Sequence, residues 1–77
     1  MEMNETSFRI RPYSKRELAE LYFPETGNAR SAVANLRNLL HRNPELIREL
    51  GEASYKSRDK MFTPKQVSIL VRYLGEP

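Results

Sequence analysis

The stretch Ala53–Gln66, "ASYKSRDKMFTPKQ", decides how this sequence is read. Two short runs, one carrying Tyr55 and the other Phe62, flank a polar turn around which Lys56, Arg58 and Lys60 alternate. Alternate residues of a strand share a side. The pattern therefore predicts a small β-hairpin over about residues 53–62, with the two aromatics anchoring its base. Thr63–Pro64–Lys65–Gln66 follows at once, and a Thr with a Gln three residues on, and Pro between them, is a helix start. A basic hairpin between helices has two readings. Its lysines can keep an open sheet edge from pairing with other chains, or the hairpin can be a wing pressed against a nucleic-acid backbone.

Downstream, "KQVSILVRYL" runs to Gly75, with Val67, Leu70, Val71 and Leu74 as the core stripe. Ile69 and Tyr73 lie off that stripe. Either this helix is buried broadly, against an N-terminal strand, or the pair is a patch for a partner or a second copy. Upstream, "NPELIRELG" reads as a compact helix capped by Asn43, opened by Pro44 and stopped by Gly51. Before it, Asn28 caps "ARSAVANLRNLLHR". In that helix Ala29, Ala32, Val33, Leu36 and Leu40 form the inner stripe, and Arg30, Ser31, Ala34, Asn35, Asn38, His41 and Arg42 face away from it. "SKRELAELYFP" is a further helix, with a Ser14–Glu17 capping box, Leu18, Leu21 and Tyr22 on one face, and Pro24 as its stop. "FRIRPY" alternates Phe8 and Ile10 against Arg9 and Arg11, a half-buried strand pattern ended by Pro12. The order is strand, helix, helix, short helix, hairpin, helix. The expected fold class is mainly α with a small β-hairpin, a winged helix-turn-helix-like single domain over residues 8–77 behind a flexible tail, 1–7.

At 77 residues the chain has room for one modest core. It contains no cysteine, which excludes disulfides, thiolate chemistry and cysteine-held zinc, and fits a reducing cytoplasm. No apolar run reaches the ~20 residues of a membrane span. The net charge is only +3, but its distribution is uneven. Residues 8–16 carry Arg9, Arg11, Lys15 and Arg16 without an acid, and residues 28–43 carry Arg30, Arg37 and Arg42 without an acid. The acids gather at Glu17, Glu20 and Glu25 and again at Glu45, Glu49 and Glu52. Such segregation points to one basic and one acidic face.

A recognition helix in the major groove needs small, polar or cationic residues on its outer face, because Arg pairs with guanine and Asn with adenine. Arg30, Ser31, Asn35 and Asn38 meet that need and are the expected base-contacting set. An ordinary solvated face would mix Glu with Lys; this one has no carboxylate. The expected backbone contacts are Lys15, Arg16, Arg42, Lys56, Arg58 and Lys60. Lys15 and Arg16 stand in the first turn of a helix, where the macrodipole disfavours cations; either a bound phosphate offsets this, or a cost of roughly a few tenths of a kcal/mol is simply tolerated. His41 is the only histidine and has no ligand set around it, so neither a metal nor a cofactor is expected. With three glycines, at apparent turns and helix ends, there is no phosphate-cradling loop, and no nucleophile–base pair is visible; enzyme activity is not expected.

"YSKRELAELYFP" (residues 13–24) and "FTPKQVSILVRYLGEP" (residues 62–77) resemble the two ends of a family of small bacterial proteins classed only as a domain of unknown function, family number 4248. The closing "YLGEP" and the "LYFP" helix exit are the most specific parts, and the resemblance extends over almost the whole chain after the first seven residues. It implies no activity, ligand or catalytic residue. In layout the chain is also similar to excisionase-like and MerR-like winged helix-turn-helix domains. Its turn "FPETGN" is longer than theirs and the MerR-type effector helix is absent, so no base-contacting residue carries over. The reading that results is a cytoplasmic DNA-binding regulator or accessory factor of a mobile element or promoter. The alternative is a protein-interaction adaptor of the same fold, docking through its last helix or through the face with Glu45, Glu49 and Glu52.

Overall fold

Two helices of this protein begin in the same way, and the strands just ahead of them pair. Ser14 accepts a hydrogen bond from the Glu17 amide and the Glu17 side chain reaches back to the Ser14 amide, while Thr63 and Gln66 repeat the arrangement. The residues leading into these caps are β1, Tyr13–Ser14, and β2, Met61–Phe62. They form a two-stranded antiparallel sheet with Tyr13 opposite Phe62 and Ser14 opposite Met61. The computed structural model describes residues 8–77; the tail expected at 1–7 lies outside the described residues. Four helices follow the chain: α1, Lys15–Tyr22; α2, Ala29–His41; α3, Pro44–Glu52; and α4, Pro64–Leu74. The expected class, mainly helical with a small antiparallel β element in one domain, is what the chain forms.

The sheet is not where the residue pattern put it. Residues 53–60 contain no strand, and β2 takes its partner from the other end of the chain. Local hydrogen bonds explain this. Ser54 sits in the left-handed region (φ 72°), the Tyr55 amide donates to the Leu50 carbonyl and the Ser54 amide to the Gly51 carbonyl, which together terminate α3 in a Schellman motif. Asp59 then closes its own turn, accepting from the Lys56 amide through its side chain at 2.9 Å and donating its amide to the Lys56 carbonyl at 2.9 Å. The extended backbone begins only at Met61.

The N-terminal alternation is also overruled. Residues 8–12 are not a strand; they wrap around Tyr13. Phe8 stacks on its ring at 5.1 Å, the Arg11 guanidinium lies 3.8 Å from the ring centroid, and the tyrosine hydroxyl donates to the Arg9 carbonyl at 2.9 Å. Ile10 is left 50 % exposed. Three helix details differ too. Leu21 is 44 % exposed while Ala19 is buried in its stead. Gly51 lies inside α3, which ends at Glu52 with Ala53 as its C-cap and Ser54 turning the chain away. Asn43 makes no side-chain cap for α3; its amide instead donates to the Leu39 carbonyl at 2.9 Å, closing α2.

One core joins all four helices, with Leu18, Leu36, Leu46, Leu50, Phe62 and Leu70 fully buried. Gln66 is the one buried polar side chain of the described residues. Beyond its capping role, its amide donates to the Ala53 carbonyl at 2.9 Å, tying the start of α4 to the exit of α3. A buried amide with its partners met stabilises one packing over others.

Candidate nucleic-acid interface

α1 and α2 pack closely and leave a shallow groove of about 360 Å³ on one side. Its floor is Ala29, Val33 and Ala34, and its walls carry Arg16 from α1 and Arg30 and Arg37 from α2. The helix period explains the gathering. Arg30, Ala34 and Arg37 are spaced i, i+4, i+7 and fall on one flank, next to the face of α1 that presents Arg16. Small residues between the arginines keep the groove open.

The loop between α3 and β2 lies against the start of α1. Lys15 holds it there: its ammonium donates to the Ser57 carbonyl at 2.5 Å and lies 5.2 Å from the Tyr55 ring centroid. The Lys15 amide also donates to the Lys60 carbonyl at 2.8 Å. Burial holds the Lys15 ammonium below the usual lysine range, the Arg37 guanidinium lowers it further, and Asp59 opposes both. Burial pushes the Tyr55 hydroxyl up to about 12, with Asp59 adding to the rise and Arg37 opposing it. Arg37 therefore stands within electrostatic reach of both anchors of the loop. Tyr55 is fixed in turn by stacking on Phe62 at 5.1 Å.

The residues expected at a nucleic-acid surface are thus divided. Arg30 belongs to the groove. Ser31 and Asn38 are exposed on the outermost strip of α2. Asn35 turns to the other flank, where it lies 3.5 Å from the Thr26 hydroxyl and lines a depression with Tyr22 and Phe23. Arg16 is in the groove wall with Glu20 at 3.9 Å, both side chains largely exposed. Arg42 is exposed at the C-cap of α2. Lys56, Arg58 and Lys60 are exposed on the loop. Lys15 differs from this group, because its charge is engaged inside the fold. Among the described residues, no carboxylate pairs with Arg30, Arg37, Lys56, Arg58 or Lys60. Arg37 was absent from the expected contact set; its place seven residues after Arg30 is the signal that locates it.

Of the patch considered on the last helix, Ile69 is buried and Tyr73 half-buried. Ile69 is 8 % exposed. The Tyr73 hydroxyl donates to the Glu49 carboxylate at 2.5 Å, which also pairs with Arg72. That hydrogen bond, ahead of any burial, holds Tyr73 above the ordinary tyrosine range. α4 is buried broadly, as one of the two readings held, but against α3 and not against an N-terminal strand.

No group of three or more His, Asp or Glu side chains that could hold a metal occurs among the described residues, and no described helix is long and apolar enough to cross a membrane. What fold and surface define together is a small helical domain with one basic groove-and-loop face. The chain belongs to the family described as "Domain of unknown function (DUF4248)", whose model matches residues 9–77. No curated protein and no solved structure matches it.

Proposed function

We propose that this protein is a small, non-enzymatic duplex-DNA-binding protein of winged helix-turn-helix-like layout, working in the cytoplasm as a transcriptional or mobile-element regulator or accessory factor. One observation carries the reading. The polar face of α2 holds no carboxylate, and α1, which packs against α2, carries Lys15, which holds a loop with three exposed cations. In this reading α2 approaches the major groove with Ser31 and Asn38 foremost, and the loop takes the part of a wing although it is not a hairpin. A single module of this size buries limited surface, so specific sites require two or more copies.

The adaptor reading has less support. Glu49 already serves Tyr73 and Arg72, Glu52 pairs with Arg48 at 3.1 Å, and Ile69 is buried. The acidic side of the molecule is largely occupied with itself.

Fluorescence anisotropy with mixed-sequence short duplexes, at low and physiological salt, tests the proposal. Binding whose logarithm falls linearly with the logarithm of salt concentration is expected, since each neutralised phosphate contributes about −0.9 to the slope. Lys60→Ala weakens all sequences alike, while Asn38→Ala lowers the preference for a selected site. Absence of binding at low salt overturns the DNA reading.

A further inference from the structure

We propose that the groove between α1 and α2 is the seat of one phosphate strand, gripped by Arg16, Arg30 and Arg37, and that Lys15 is a positioning residue that sets the loop cations beside that strand without touching the nucleic acid. The inference rests on the DNA-binding reading and assigns its two halves to residues.

The groove is built for a polyanion. Three guanidinium groups line an Ala–Val–Ala floor, and guanidinium forks match phosphate oxygens better than ammonium groups do. The small floor residues let a sugar–phosphate chain come close. Arg30 and Arg37 are two helical turns apart, about 10.5 Å along the axis, a length over which one strand presents successive phosphates. The carboxylate at the groove's edge, Glu20, meets Arg16 only at 3.9 Å with both side chains exposed, a contact that a phosphate displaces at little cost. The loop that Lys15 holds at the start of α1 adds Lys56, Arg58 and Lys60, all exposed. Six cations drawn from three segments of the chain, α1, α2 and the loop, favour a duplex, with a charge on every nucleotide, over an acidic helix of a protein as the occupant.

Lys15 has a different part. Its ammonium is committed to the Ser57 carbonyl and the Tyr55 ring, so its removal frees the loop and leaves the groove intact. The loop's inner hydrogen bonds, from Lys56 to Asp59 and back, keep its shape, and Lys15 keeps its position.

Salt-dependent anisotropy on the full chain separates the two parts. Arg37→Gln, at an exposed position, is expected to leave the melting temperature unchanged, weaken duplex binding several-fold and flatten the salt slope by about 0.9. An unchanged affinity and slope overturn the groove assignment. Lys15→Met is expected to weaken binding in the otherwise native chain and to have no further effect once Lys56, Arg58 and Lys60 are all changed to Gln. Additive losses in that cycle overturn the positioning role and make Lys15 a phosphate contact. Amide hydrogen exchange provides a second measurement on the same variant, with faster exchange at residues 56–60 expected; unchanged exchange there overturns the latch. If the native protein instead captures an acidic helical peptide in an Arg37-dependent manner and ignores duplexes, the occupant is a protein. If it binds no duplex and no such peptide, the DNA reading and this assignment fall together.

Discussion

The two charged sides of this protein use their charge in opposite ways. On the α3–α4 side, Glu49 receives the Tyr73 hydroxyl and the Arg72 guanidinium, and Arg48 pairs with Glu52 one turn on. On the α1–α2 side, Arg30 and Arg37 face solvent with no described carboxylate beside them, while Lys15 is engaged inside the fold. The first arrangement contributes to holding the fold. The second contributes little to it and leaves cations available to a ligand. Charge segregation along a chain therefore does not by itself identify a binding surface; what matters is which charges the fold has already neutralised.

Four substitutions break or sharpen this contrast. The largest effect is expected from Phe62→Ala. The ring is fully buried, sits in β2 and stacks on Tyr55, the residue that anchors the loop. Its loss costs about 3–5 kcal/mol, as for other buried aromatics, and denaturant unfolding measures it. A cost under about 1 kcal/mol would show that the core does not depend on this ring. Next comes a pair of single substitutions. Glu49→Gln weakens the contacts to Arg72 and Tyr73 and costs on the order of 1 kcal/mol, while Arg30→Gln stays within about 0.5 kcal/mol of the native protein. Equal losses in thermal melts would erase the distinction between a side that stabilises and a side that is free to bind. The smallest effect is a gain. Ser54 holds the left-handed position of the Schellman motif at φ 72°, where glycine has no Cβ penalty, so Ser54→Gly is expected to stabilise by up to about 1 kcal/mol. A loss of stability would mean that the serine side chain contributes more at that corner than the backbone strain costs.

Much of the helical architecture was legible in the residues. Ser14–Glu17, Thr63–Gln66 and Asn28 each cap a helix through partners three residues away, and such bonds depend on local chain geometry alone. The stripes Ala32–Leu36–Leu40 and Val67–Leu70 are buried as their spacing implies. The failures share a cause. The Phe8–Arg11 alternation has the strand period, but Tyr13 offers residues 8–12 a ring to wrap, and that tertiary partner outweighs a weak local preference. Gly51 looked like a stop, yet α3 carries it and ends at Glu52, with Ser54 in the left-handed region turning the chain away. The Tyr55 and Phe62 runs looked like two arms of a hairpin; their rings do meet, but Phe62 pairs with Tyr13 across the sheet.

The candidate site divides along the same line. That α2 has an acid-free polar face, and that Lys56, Arg58 and Lys60 follow one another along a single segment, is written in the order of residues. The joining of that face to that segment is not. It depends on α1 packing against α2, on Lys15 reaching the Ser57 carbonyl and on β2 lying beside β1, contacts that exist only in the folded chain. Local sequence sets caps, periods and charge, because those act within a few residues. The grouping of Arg16, Arg30 and Arg37 in one groove, and the neutralisation of Glu49 elsewhere, were decided only when the helices packed, because packing alone determines which charges find partners.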